Sequence, residues 1–282
     1  MSRFRVAFLQ GRPEFGETEH NLERALALSA TVEASLVVVP ELWSTGYVFS
    51  SKQEVASLAE DAETGATARA LSWAARREKR HYVAGFAEVS RGRIYNSAML
   101  VGPSGVKAVY RKLHLFEREQ EWFTPGNIPL AVHRVGPARI GMLVCYDWRF
   151  PETARVLTLL GADVLAHPSN LVFANAQEAM RVRSIENRVA TITANRVGTE
   201  KRPGGTVAFT GRSQIVDPTG EVLVRATKVA ETARAADLDL SVARDKRLTK
   251  RTYLLSPRRP EMYGALVSRS GLAHPPRRTP SR

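Results

Sequence analysis

The chain has 282 residues, 44% of them hydrophobic and 24% charged, which is enough for one sizeable core and short for two full domains. No apolar run reaches the roughly 18 residues of a membrane span, the start MSRFRVAFLQG lacks the apolar stretch of a signal peptide, and a single cysteine, Cys145, excludes an intrachain disulfide. The formal charge of +13 is concentrated in part near the end, where Arg258, Arg259, Arg269, Arg277, Arg278 and Arg282 face Glu261 alone. With 7% aromatic residues and no recognition motif, nucleic-acid binding is not the expected main function.

In chain order, apolar segments of strand length alternate with longer amphipathic ones, the pattern of sheets covered by helices. Residues 4–10 read as a strand, 21–34 as a helix, 36–39 as a buried strand ending at Pro40, 67–78 as a helix and 82–86 as a strand. Residues 97–101 and 106–110 flank Gly102-Pro103-Ser104-Gly105, a spacer that favours an antiparallel hairpin. Then follow a strand at 140–144, a helix at 151–160, a strand at 164–166, a helix at 177–188 and a strand at 190–194. A second hairpin joins 213–216 to 222–224 through Asp217-Pro218-Thr219-Gly220, so mixed sheets are expected. Beyond Glu261 the pattern fades and prolines interrupt it; the expected division is a domain over 1–262 and a basic, proline-rich arm over 263–282.

Three chemically capable residues each stand where an apolar strand ends: Glu41 after 36–40, Lys112 after 106–111 and Cys145 after 140–144. Carboxyl ends of strands form the crevice in which ligands bind in helix-covered sheets, so the three can meet there. A carboxylate can take a thiol proton, a thiolate is the attacking form, and an ammonium can stabilise the anion that develops. The segment Cys145-Tyr146-Asp147-Trp148-Arg149-Phe150-Pro151-Glu152 reads as a strand-to-helix elbow, which would expose the thiol and make the Tyr146 amide a second oxyanion donor. Taken singly, each residue has a plainer reading: a small buried apolar side chain for Cys145, a turn-capping carboxylate for Glu41, a solvated lysine for Lys112. Only the set argues for chemistry.

With these residues in view the chain resembles the nitrilase superfamily, or carbon-nitrogen hydrolases. Pro40-Glu41-Leu42 with Gly46-Tyr47, Tyr110-Arg111-Lys112-Leu113-His114-Leu115 and the Cys145 elbow match that family in order and spacing over about residues 4–260. The resemblance implies an α/β fold, an αββα sandwich of two mixed sheets with helices on both outer faces, and a homodimer formed through a helical layer. It implies Glu41 as general base, Lys112 as oxyanion-stabilising cation and Cys145 as nucleophile, with no metal or organic cofactor. A second glutamate of the family stands four residues before the Phe of Phe123-Thr124-Pro125-Gly126, which selects Glu119 over its neighbours Glu117 and Glu121.

The stretches 166–171 and 188–196 look most like compact aliphatic nitrilases and amidases. The expected reaction is hydrolysis of a small aliphatic nitrile or primary amide to acid and ammonia through a thioester, in the cytoplasm. Tyr47, Trp148, Arg149 and Asn170 are the nominated substrate contacts, with Tyr146 and Phe173 as further walls. An N-carbamoyl amidohydrolase is the alternative substrate reading, weakened because Trp148-Arg149 stands where carbamoylases carry two arginines. A non-catalytic binding module on the same fold is the alternative of another class. His114 and His167 are set aside as bases because Glu41 fills that role.

Overall fold

Residues 3–268 are described by the structure, a computed structural model. Strand β1 (Arg3–Gln10) is followed by α1 (Thr18–Ala30), β2 (Leu36–Val39), α2 (Lys52–Leu58), α3 (Ala66–Glu78), β3 (His81–Ser90), β4 (Arg93–Gly102) and β5 (Gly105–Arg111). A short α4 (Glu119–Trp122) leads to β6 (Val132–Val135), β7 (Ala138–Met142), α5 (Pro151–Leu159), β8 (Val164–Pro168), α6 (Ala176–Asn187) and β9 (Ala190–Ala194). The small hairpin β10 (Thr199–Arg202) and β11 (Gly205–Ala208) precedes β12 (Gln214–Val216), β13 (Val222–Arg225), β14 (Thr232–Asp239) and α7 (Leu240–Arg244).

Two six-stranded sheets result, in the orders β14-β1-β2-β3-β4-β5 and β13-β12-β9-β8-β7-β6. Both are mixed. In the first, β1, β2 and β3 are parallel and β14, β4 and β5 join antiparallel; in the second, β7, β8 and β9 are parallel and β6, β12 and β13 antiparallel. Side-chain alternation explains the layering. Phe4, Val6, Phe8, Leu36, Val38, Val83, Ala98 and Leu100 of the first sheet share one core with Ile140, Met142, Val164, Ala166 and Ile192 of the second. Their neighbours Ala7, Leu9, Val37, Val39, Tyr82, Phe86 and Met99 point the other way, onto Ala25 of α1 and Ala68, Leu71, Ala74 and Ala75 of α3. Residues 68, 71 and 75 recur at helical spacing, which is why α3 presents one apolar stripe. Ala154, Leu157, Ala176 and Met180 bring α5 and α6 onto the second sheet. Each core aliphatic or aromatic side chain contributes roughly 1.5–3 kcal/mol by leaving water, and because central strands are buried on both faces they read as continuous apolar runs.

The expected αββα sandwich is observed. Helix α1 starts three residues before the expected boundary and ends at Ala30, where Thr31 and Val32 turn back onto the carbonyls of Leu28 and Ser29. β14, β6 and the β10–β11 pair were not anticipated. Chain contacts divide after Asp245: everything above belongs to the first unit, and the second, from Lys246, holds an Arg247–Tyr253 bridge and two 3-10 turns at Pro260–Met262 and Gly264–Leu266. Arg269, Arg277, Arg278 and Arg282 of the expected basic arm lie outside the described residues. No helix among the described residues is long and apolar enough to cross a membrane.

Candidate active site

Glu41 stands one residue past the Pro40 that ends the β2 run. Leu42 turns the chain with φ 48°, and the Trp43 amide donates to the Gly85 carbonyl of β3 at 3.2 Å. A Cβ at Gly85 would lie 2.4 Å from the Glu41 Cα, so only glycine lets β3 and the Glu41 turn come this close. Lys112 follows β5 directly. Because β5 is two antiparallel steps from β3, it runs parallel to β2, and its end reaches the same edge of the sheet as Glu41. The Lys112 backbone is held on both sides: its amide donates to Asn96 O at 2.8 Å and its carbonyl accepts from the Gly126 amide at 2.8 Å.

The side chains meet in a buried knot. Lys112 Nζ donates to Glu41 Oε1 at 2.8 Å and to Glu119 at 2.7 Å, and all three groups are excluded from solvent. Asn96 Nδ2 donates to the same Glu41 Oε1 at 2.7 Å, while Glu41 Oε2 is buried without a hydrogen-bond partner. Glu119 is held by the Tyr47 hydroxyl at 2.8 Å and the Phe116 amide at 3.2 Å. Burial works against the Lys112 ammonium, but Glu119 and Glu41 outweigh it and hold Lys112 above the usual lysine range. Burial, then the charges of Glu119 and Glu41, push Tyr47 well up, so it stays a phenol donor.

Cys145 opens a 3-10 turn, Cys145–Arg149, between β7 and α5, with φ 42°. The Asp147 carboxylate shapes this elbow by accepting from the Val144 amide at 3.0 Å, the Tyr110 hydroxyl at 2.7 Å and the His114 amide at 3.2 Å. His167 sits beneath it, with Nε2 2.9 Å from the Cys145 carbonyl and Nδ1 3.2 Å from Thr193 Oγ1. Burial lowers His167 to about 4, so a neutral ring whose Nε2–H donates to that carbonyl fits both partners. His114 pairs with Asp147 at 2.8 Å and stacks on Phe150 at 3.5 Å between ring centroids. Neither histidine faces the sulfur as a base; both brace the elbow. Burial, then Glu41, push the Cys145 thiol well up against the pull of Lys112, so it rests protonated. Asn170 ties the two sheets together at this point: its Nδ2 donates to the Glu41 carbonyl at 2.9 Å, and its backbone amide, near the sulfur, works with Lys112 to draw the Cys145 thiol down.

A cleft lined by Cys145, Tyr146, Trp148, Asn170 and Leu171 opens beside a cavity of about 490 Å³ that reaches Tyr47 and Glu119; Phe116, Val172 and Phe173 wall both. Of the sequence-nominated residues, Glu41, Lys112, Glu119, Cys145, Tyr146, Tyr47, Trp148 and Asn170 come together here. Arg149 does not: it is exposed, with its guanidinium 5.4 Å from the Trp148 ring centroid, and lines neither space. Sequence reasoning missed Asn96, Asp147, Tyr110 and the bracing role of His167. An Asn-Ser pair inside the otherwise apolar β4 was the one available signal for Asn96. Among the described residues no group of three or more His, Cys, Asp or Glu is placed to hold a metal ion.

The family model described as carbon-nitrogen hydrolase matches residues 5–248. A protein named nitrilase from Pyrococcus abyssi is 41% identical over 262 residues, 92% of this chain and 98% of that one. An (R)-stereoselective amidase from Pseudomonas is 37% identical over 230 residues, 80% of this chain and 81% of that one. Among solved structures, a carbon-nitrogen hydrolase from Helicobacter pylori superposes with a TM-score of 0.82 at 25% identity, covering 95% of this chain and 99% of that one.

Proposed function

Because this chain belongs to the carbon-nitrogen hydrolase family and is a hydrolase of the nitrilase and amidase type, we propose that it converts a nitrile or a primary amide to a carboxylic acid and ammonia, with Cys145 as nucleophile. Glu41 is the general base and acid, Lys112 and the Tyr146 amide receive the oxyanion, and Glu119 orients Lys112. The carrying observation is the asymmetry of the Glu41 carboxylate: Oε1 is engaged by Lys112 and Asn96, while Oε2 is buried and open. An acceptor left free inside a dry site is suited to take the proton of a thiol that rests protonated.

With an amide, Cys145 Sγ bonds to the carbonyl carbon as its proton passes to Glu41, and the oxygen gains negative charge beside Lys112. Glu41 returns the proton to nitrogen, the C–N bond breaks, ammonia leaves and a thioester remains. Water then attacks the thioester, giving a proton to Glu41, and the C–S bond breaks to release the acid and restore the thiol. A nitrile first gives a thioimidate, and one water must add to it before ammonia can leave. An N-carbamoyl amino acid would need a cation for its carboxylate, and the exposed position of Arg149 does not support one.

The test is ammonia release from a nitrile, a primary amide and an N-carbamoyl compound sharing one acyl group, with mass spectrometry of the protein under substrate. Release with an acyl adduct, both absent in Cys145→Ala, is expected; release that survives Cys145→Ala refutes the mechanism. The same reading includes a homodimer through α5 and α6, supported by Val156, Leu159, Leu160, Val182 and Ile185, which are 40–52% exposed on that layer. Light scattering should give twice the chain mass, and Leu159→Glu with Ile185→Glu should halve it; a wild-type monomer would remove the dimer from the reading.

A further inference from the structure

The reaction proposed above defines the bond that breaks, and the acyl group is a separate matter on which the cavity bears. At about 490 Å³ it falls within the roughly 300–1,000 Å³ of pockets that enclose drug-sized ligands, far more room than a two- or three-carbon acyl group fills. Its walls are aromatic: Tyr47, Phe49, Phe116, Trp122, Phe123 and Phe173 all contribute. Phe49 and Phe123 meet edge to face at 5.9 Å, and Phe116 and Phe173 at 5.7 Å, the arrangement into which another aromatic ring packs well.

Three charged side chains line this chamber, Glu117, Arg118 and Glu119. Glu119 is taken by Lys112 and Tyr47. Arg118 pairs with Glu121 at 3.1 Å, donates to the Gly204 carbonyl and lies over the Trp122 ring. Glu117 is exposed. A carboxylate on an acyl arm seated here would have to displace Glu121 from Arg118, and an ammonium would find Glu119 already taken and Glu117 solvated, so neither gains a dedicated counter-charge to offset its loss of water.

The roof is the β10–β11 hairpin, through residues 204–208, and it is bolted to the opposite wall. The Glu200 carboxylate accepts from the Tyr47 amide at 3.2 Å and from the Val48 amide, and it pairs with buried Arg196. Arg202 reaches Glu54 at 2.7 Å, and a Cβ at Gly204 would lie 2.2 Å from the Phe49 carbonyl oxygen. The hairpin therefore sets a fixed height for the chamber.

We infer that this chamber holds the acyl arm, and that the preferred substrates are amides or nitriles of bulky, uncharged, apolar acids, arylalkanoyl compounds first. This rests on the reaction proposed above and departs from the small acyl group suggested by sequence. Val207, on the roof, is the specificity-determining position to probe.

The experiment compares kcat/KM for acetamide, 3-phenylpropionamide, succinamate and 4-aminobutyramide, and measures calorimetric binding of acetamide and 3-phenylpropionamide to the Cys145→Ala protein. The aryl amide should exceed acetamide and both charged amides by at least about tenfold, near the low end of what one buried methylene is worth in a hydrophobic pocket. Val207→Asp should lower the aryl-to-acetamide ratio by a similar factor. Acetamide or a charged amide matching the aryl amide, with ammonia released, overturns the chamber and leaves the hydrolase reading intact. If none of the amides is hydrolysed, the amide half of the proposed reaction falls; preferential binding of the aryl amide to Cys145→Ala then upholds the chamber, and no preference overturns it as well.

Discussion

Replacing Lys112 by methionine removes one charge from a site that holds two carboxylates. In the wild type, Nζ lies 2.8 Å from Glu41 and 2.7 Å from Glu119, with all three groups out of water. Methionine fills nearly the same volume, so the cost is electrostatic. Breaking a buried pair by deleting one partner destabilises by about 3–5 kcal/mol, against a total of roughly 5–15 kcal/mol for a folded domain. The pH dependence carries the sign. Burial and the Glu41 charge already hold the Glu119 carboxyl above its usual range against the pull of Lys112, and losing the ammonium raises it further. Protonated Glu119 is then tolerated below the ordinary carboxylate range, and stability is lost as pH rises through its raised folded value. Equilibrium urea unfolding followed by ellipticity at pH 8, 6.5 and 5 should show the largest deficit at pH 8 and a smaller one at pH 5. Adding Glu119→Gln to Lys112→Met should recover part of the loss. A deficit below about 1 kcal/mol, or one independent of pH, would show that the three groups do not share a dry site and would refute the electrostatic reasoning.

Gly85→Ala should cost about 1–3 kcal/mol by overpacking and reduce turnover more than it reduces binding, since the new Cβ, 2.4 Å from the Glu41 Cα, must push the carboxylate away from Lys112; unchanged kcat in steady-state assays would exclude that coupling. His167 is depressed to about 4 in the fold, so the unfolded chain takes up a proton near 6.5 before the folded one does. Stability should therefore fall by about 3 kcal/mol as pH drops from 6.5 to 4, and unfolding of His167→Asn over the same range should lack that increment.

Glu41 and Cys145 were legible because each follows a buried apolar run, and a strand covered on both faces must be apolar throughout; Lys112 follows the half-buried edge strand β5 and was legible only by its place at that strand's end. Leu36 to Val39 announces where β2 stops, and Glu41 comes with it. β14 was illegible for the opposite reason. Its sequence, TARAADLD, has little strand propensity, and it is a strand because it pairs along all eight residues of β1. The β10–β11 hairpin, rich in charge and glycine, likewise takes its place from Glu200 and Gly204 meeting the Tyr47 loop. Arg149 illustrates a limit of spacing: it lies four residues from the nucleophile, but the 3-10 turn points it to solvent.

By itself the sequence set the alternation of strands and helices and placed Glu41, Lys112 and Cys145 at strand ends, because burial and turn chemistry are local patterns written in consecutive residues; the αββα sandwich followed from the resemblance to a family. Only the tertiary structure decided which oxygen of Glu41 stays free, that Asn96 engages the other, that His167 and Asp147 hold the elbow, and that the cavity beside Tyr47 and Glu119 is wide and aromatic. Those features arise between elements far apart in the chain, where distances of a few ångström set hydrogen bonding and charge and leave no periodic trace in the sequence.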